Sequence, residues 1–178
     1  LLAGPHPGNT DGEELDAILN ALLDAGIRSV INLTQETGVE EAEEMSDVGD
    51  APEPLQEFAP YADRLESLAE KRGEFVEIEH LTMDVGSASA DQEMEMVLDA
   101  IDAEIDGRNS PTLVHCESGN GNTGVAVGCY LARHGIAVGK AAIAKIKELR
   151  SADPALEGVK SPENIVQQRF ISRWKPES

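Results

Sequence analysis

The sequence predicts an α/β fold: one domain over residues 1–178, with a central, mainly parallel sheet flanked by helices. Three observations lead there. Short apolar runs of strand type alternate with longer segments whose apolar residues recur at helical spacing, the pattern of parallel strands joined by helical crossovers. No internal repeat or domain-splitting linker interrupts the alternation. At 178 residues and 19.0 kDa, the chain has the size of one domain and can bury a core without disulfide staples.

The elements follow in order. Over 11–25, Leu15, Ile18, Leu19 and Leu22 recur at helical spacing, Thr10 or Asp11 can cap the start, and Gly26 ends it. Ser29 to Leu33 reads as a buried strand. Glu36 to Glu57 is acidic and carries Gly38, Gly49, Pro52 and Pro54, so it reads as a long exposed loop, without calcium-loop spacing. Pro60 to Arg72 is a short helix with Leu65, Leu68 and Ala69 on one side. Phe75 to Ile78 alternates apolar and acidic residues, as a half-exposed strand does.

Ser89 to Asp106 is the strongest helix, with Met94, Val97, Leu98, Ile101 and Ile105 as its stripe; Met94 and Met96 read as core filler. Pro111 to His115 is a short strand, followed by a glycine-rich turn and a helix to Arg133. Val138 to Arg150 is another helix, turning Ala142, Ile143 and Ile146 inward. Ser161-Pro162-Glu163 has the form of a helix start: a capping serine, proline at the first helical position and an acid in the first turn. It opens a last helix carrying Ile165, Phe170, Ile171 and Trp174.

Charge and composition exclude several functions. Thirty-four Asp and Glu stand against 14 Lys and Arg, a formal net charge of −20. Such a chain repels nucleic acid and anionic membranes at long range, so neither is expected as a partner. With one Trp, two Tyr and three Phe it is no aromatic-stacking RNA binder. Cys116 and Cys129 are too few for a disulfide scaffold. No apolar run approaches the ~20 residues that span a bilayer. The chain opens at Leu1 without methionine, as a processed or trimmed product does, and shows no basic and apolar leader. These features point to the cytoplasm. No His, Cys and Asp cluster has ligand spacing, so no metal and no cofactor is expected.

Chemistry concentrates in the turn from His115 to Gly124, which has three readings. Gly119, Gly121 and Gly124 fit the dinucleotide pattern G-x-G-x-x-G, but that pattern requires a second strand ending in an acid, and the residues from Gly135 read as a turn and a helix. A plain tight turn accounts for the glycines but not for a cysteine at its first position. An anion cradle with a nucleophile accounts for more. A cysteine at a strand's carboxyl end sits at the mouth of the next helix, where backbone N–H groups favour the thiolate. Gly119 and Gly121 let the backbone curl, the Thr123 hydroxyl can bond the sulfur, and His115 can order the loop from behind.

The string His-Cys-x-x-Gly-x-Gly-x-Thr-Gly resembles the phosphate-binding loop of the cysteine-dependent protein tyrosine and dual-specificity phosphatases. Leu2-Ala3-Gly4 with Pro7-Gly8, Asn32-Leu33-Thr34, Met83-Asp84-Val85-Gly86 and Ser161-Pro162-Glu163 with Gln167 resemble further parts of their small bacterial members. The resemblance implies a phosphatase-like fold. It implies Cys116 as the nucleophile that forms a phosphocysteine, and Asp84 as general acid and base. Glu117, Ser118, Gly119, Asn120, Gly121, Asn122 and Thr123 are then the phosphate-binding residues, supported by His115 and Gln167. The substrate would be a phosphorylated protein or a small-molecule phosphate.

Two positions depart from that pattern. Asn122 stands where the family has arginine, six positions after the cysteine, and Ala88 stands where the acid loop often has proline. Arginine forks onto two phosphate oxygens; asparagine is neutral and short. The resemblance therefore implies a slowed phosphomonoester hydrolase, or alternatively an inactive relative that serves as an anion- or protein-binding module. Arg108, Arg133, Arg150 and Arg169 are the candidates to replace the missing charge, with Arg133 expected to point away.

Overall fold

The computed structural model describes residues 1–34 and 60–176; the loop expected over Glu36 to Glu57 lies outside the described residues. Four parallel strands form one sheet: β1 (Leu2–Gly4), β2 (Ser29–Asn32), β3 (Glu77–His80) and β4 (Thr112–His115), in the order β1-β4-β2-β3. The register sets Gly4 and Asn32 opposite His115, and His80 opposite Asn32. All four strands therefore end on one row, and the loops that follow them share the carboxyl edge of the sheet. That edge is where open parallel sheets place their sites.

Helices cover both faces: α1 (Gly12–Asp24) and α2 (Ala62–Lys71) on one, α3 (Ala90–Asp102), α4 (Asn122–Arg133), α5 (Lys140–Arg150) and α6 (Ile165–Arg173) on the other. The two-residue period of the strands divides the core. Val30 and Leu113 pack with Leu19, Leu23 and Leu65, while Ile31 and Val114 pack with Met94, Leu98, Val125 and Ile171. Asp11 caps α1, its Oδ1 accepting from the N–H groups of Glu13 and Glu14 at 2.9 and 3.0 Å. Gly26, at φ +84°, turns the chain out of that helix. No helix among the described residues is long and apolar enough to cross a membrane.

The structure corrects four local expectations. β3 begins two residues later than the alternation suggested, at Glu77, because the ladder with β2 starts where Glu77 pairs Ser29. Val76 is buried just before it and Phe75 stays 75% exposed. The long helix over 89–106 is α-helical only to Asp102 and closes in a π-type turn over Ala103–Gly107. Met94 fills the core, but Met96, two positions on and hence on another face, is exposed. The last helix starts four residues beyond Ser161. Its cap is Asn164, which forms a capping box with Gln167, and Ile165 faces solvent. Ser161 instead spends its hydroxyl on the glycine-rich turn, and its bond to Pro162 is cis.

Candidate active site

The turn between β4 and α4 is held from every side. Cys116, 6% exposed, follows directly on the last residue of β4. The neighbouring strand ends clamp its base: Leu33 N–H donates to the His115 carbonyl at 2.7 Å, and His6 N–H to the Glu117 carbonyl at 3.0 Å. Gly119 has φ +71°, and a Cβ there would lie 2.5 Å from the carbonyl carbon of Gly4 and the nitrogen of Pro5. Both conformation and space demand glycine. A Cβ on Gly121 would meet Glu163 Oε2 at 2.8 Å and Gln167 Nε2 at 3.0 Å, so the start of α6 closes the opposite flank.

Side chains complete the support. Arg150, the last residue of α5, donates to the Gly119 carbonyl at 3.3 Å and to Asn120 Oδ1 at 2.5 Å. Ser161 donates to the Asn120 carbonyl at 2.8 Å. The Ser118 hydroxyl donates to Glu163 Oε1 at 3.0 Å and accepts from Asn120 N–H at 3.2 Å. Gln167 Oε1 accepts from Glu163 N–H at 2.9 Å, which fixes the segment carrying that carboxylate.

Behind Cys116 lies a buried polar relay. His115 is fully buried, and desolvation lowers its pKa to about 4, so the ring is neutral at ordinary pH. Its partners assign the tautomer. The Cys116 carbonyl, 3.2 Å from Nδ1, can only accept, so Nδ1 carries the proton. Nε2 must then accept from the Tyr61 hydroxyl at 2.6 Å. Burial also pushes the Tyr61 phenol up, which keeps it a donor. His6 packs edge-on against both rings, at centroid distances of 5.0 and 5.3 Å.

The segment bearing Asp84 meets the turn at Met83. Asn122 Nδ2 donates to the Met83 carbonyl at 3.0 Å. Met83 is buried and Asp84 is exposed. Around Asp84 the loop is held by its own neighbours: Asp84 N–H donates to Glu93 Oε2, and Gly86 N–H to Asp84 Oδ1, both at 2.8 Å. Hydrogen bonds from the Ser89 hydroxyl, and next from Asp84 N–H, hold the Glu93 carboxyl below the usual carboxylate range.

The residues singled out in the sequence thus fall at one edge of the sheet, with three refinements. Thr123 does not bond Cys116; its Oγ1 is buried without a hydrogen-bond partner, and a thiol sulfur is a weak acceptor. Of the four candidate arginines, Arg108 sits on Glu77 and Glu104, and Arg133 on Asp99 and Asp102. Arg169 is exposed on α6, and Arg150 alone of the four is seen bonded to the turn. Cys129 is buried in the core, where desolvation pushes its thiol up and makes it inert. One support escaped the sequence reading, Tyr61; Glu163 stood in the string Ser161-Pro162-Glu163 there, without a role at the turn. Tyr61 could have been found by its i, i+4 spacing to Leu65 and Ala69, which places a polar aromatic ring on the buried side of α2.

The family PTP-SAK, described as the Swiss Army Knife protein, DSP-PTPase phosphatase domain, matches residues 10–164. Among curated proteins, none matches the chain. Solved structures share the fold. Human DUSP28 is 16% identical over 98% of this chain and 90% of its own, with a TM-score of 0.56. The Cydia pomonella PTP-2 phosphatase is 13% identical over 97% and 89%, at 0.55. The core catalytic domain of the PP-IP phosphatase SIW14 from S. cerevisiae is 15% identical over 98% and 89%, at 0.52. With the family match spanning most of the chain, and the strand–cysteine–turn–helix edge built as described, this chain belongs to the PTP-SAK family of DSP-PTPase phosphatase domains.

Proposed function

We propose that this chain is a cysteine-dependent phosphomonoester hydrolase, one domain over residues 1–178, slowed by Asn122. Its substrate is a phosphorylated protein or a small-molecule phosphate. The bond from Asn122 to the Met83 carbonyl carries the reading, because it seats the segment of Asp84 beside the turn of Cys116.

In this mechanism the Cys116 thiolate attacks phosphorus and the ester oxygen leaves with a proton from Asp84, giving a phosphocysteine and the free alcohol. Water then attacks phosphorus, Asp84 takes its proton, and phosphate departs as the thiolate is restored. The N–H groups of the turn other than that of Asn120, together with the start of α4, receive the equatorial oxygens. The unpartnered Thr123 hydroxyl gains an acceptor when the sulfur is ionised. The relay from Tyr61 through His115 to the Cys116 carbonyl holds the base of the turn.

What the site lacks is a charged fork on the transferring phosphoryl group. Losing one neutral oxyanion donor costs about 3–4 kcal/mol, ~10²–10³ in rate, and a charged bidentate donor is the stronger of the two. Hydrolysis of p-nitrophenyl phosphate by the chain, by its Asn122→Arg variant and by Cys116→Ser tests this. The expected result is a slow rate, lost in Cys116→Ser and raised about 10²–10³-fold in Asn122→Arg. Equal rates in the chain and Asn122→Arg, lost in Cys116→Ser, mean that another group already supplies the charge. Silence in both favours the second reading, which Asn122 itself motivates: a binding module on a phosphatase fold.

A further inference from the structure

Cations are scarce in this chain, and where they stand without a counter-charge is informative. Arg28, Arg64, Arg72, Arg108, Arg133 and Arg173 each sit on a carboxylate. Four other cations line one cavity of about 820 Å³, formed by α5, the segment 151–162 and α6: Lys140, Lys147, Lys160 and Arg150. Lys140, Lys147 and Lys160 have no ion-pair partner among the described residues. Arg150 spends its two terminal nitrogens on the Gly119 carbonyl and Asn120, and its Nε is buried with no partner.

Asp153 and Glu157 are the acids of the lining, and Asp153 Oδ1 is occupied by the N–H of Ala155. Four positive charges against two negative leave a local surplus of +2 in a chain of net charge −20. The volume is that of a small-molecule site. Ile143, Leu156 and Val159 give it an apolar wall beside the exposed lysines.

We infer that this cavity binds a small anion carrying two or more phosphate groups, at a site distinct from the Cys116 turn. None of residues 116–124 lines the cavity; the side chains of Arg150 and Ser161, which bond the turn, also line the cavity. A polyphosphate carries more negative charge than a single phosphate and gains more from a local surplus of positive charge. The inference stands whether or not Cys116 is a nucleophile.

Inorganic tripolyphosphate and inorganic phosphate are the probes, with binding to the full chain measured by titration calorimetry at 0.15 M salt. Two variants separate the sites. Cys116→Asp puts a fixed negative charge in the turn, with Cys116→Ser as a milder companion. Lys140→Gln/Lys147→Gln/Lys160→Gln removes three exposed charges and no packing, and its folding is checked by thermal unfolding. The expected result is one tripolyphosphate per chain, bound at least tenfold more tightly than phosphate, retained in both Cys116 variants and weakened at least tenfold in the lysine variant. Binding lost in both Cys116 variants but kept in the lysine variant would assign the anion to the turn and overturn the cavity site. Equal affinity for both probes, or no binding of tripolyphosphate, would also overturn it. None of these results touches the proposed chemistry at Cys116, which the hydrolysis assay reads separately.

Discussion

The Cys116 turn and the Asp84 loop lie at the same sheet edge and are built in opposite ways. The turn is gripped by strand ends, by Arg150 and Ser161 from the α5–α6 side, by Glu163 and Gln167, and by the His115 relay beneath it. The Asp84 loop is exposed, bonded mainly to itself and to Glu93, and meets the turn through Met83 and Asn122. A nucleophile in a cradle of N–H groups needs its geometry fixed beforehand. A proton donor has to follow a leaving group and then a water, and an exposed loop leaves it free to do so. On the proposed mechanism the two regions should therefore fail differently when altered.

The largest effect belongs to the loop and is purely kinetic. Asp84→Asn should lower the hydrolysis rate by about 10²–10⁴ while leaving the melting temperature unchanged, because the exposed Asn side chain can still accept from Gly86 N–H. A rate within a factor of three of the parent would remove Asp84 from the proposed chemistry. Gly119→Ala should do the reverse in kind. It forces a side chain into left-handed backbone and against the Gly4–Pro5 backbone at 2.5 Å. The strain alone costs about 1–3 kcal/mol, so the variant should melt several degrees lower and lose activity with it. A stable but inactive Gly119→Ala protein would show that the turn is less tightly framed than its contacts indicate.

A mid-sized effect comes from the relay under the turn. Folded His115 protonates near pH 4, against about 6.5 for an unperturbed histidine. Between those values the unfolded chain takes up a proton that the folded chain refuses. Stability from this group is fully present above pH ~6.5, falls on acidification and levels off below pH ~4, a total of about 3 kcal/mol. Burial lowers the pKa of His6 as well, with the same sign. Chemical unfolding at pH 7 and pH 4.5 should show the loss in the parent and a smaller one in His115→Gln; identical losses would remove His115 as the source. Tyr61→Phe leaves Nε2 of a buried ring without its donor and should cost about 1–3 kcal/mol at pH 7.

The same contrast explains what could be read in advance. The turn was legible because its demands are local: cysteine at a strand end, then glycines before a helix, is a pattern of residue types at fixed spacing. The helices were legible because their stripes are periodic, and α1, α2, α4 and α5 lie within two residues of the spacing-based boundaries. What connects the turn to the rest was not legible. That Tyr61 meets His115, 54 positions away, or that Asn122 reaches Met83 is set by strand order and register, which no local pattern encodes. The misplaced start of α6 has the same origin. Ser161 and Pro162 carry the local signs of a helix start, but the tertiary demand on the Ser161 hydroxyl from the Asn120 carbonyl takes the serine first. β3 slipped by two residues because alternation cannot choose between neighbouring registers; its partner β2 does.

The smallest expected effect sharpens the comparison from the side of the loop. Glu93 accepts from Asp84 N–H at 2.8 Å and from the Ser87 and Ser89 hydroxyls, so it is the principal brace of that loop from α3. Glu93→Gln keeps one acceptor oxygen for Asp84 N–H and turns an amide NH2 toward the Ser87 and Ser89 hydroxyls, which can accept from it, so the bonds are re-formed without the charge that strengthens them. If the loop need not be rigid, the hydrolysis rate should change by no more than about threefold, the scale of part of one solvent-exposed hydrogen bond, with the melting temperature unmoved. The pH profile should keep its shape, because Glu93 touches neither Cys116 nor the phosphoryl group in the mechanism. A loss of a hundredfold or more would mean that the Asp84 loop is held as tightly as the turn is, and that the division of labour between a fixed cradle and a yielding donor does not describe this protein.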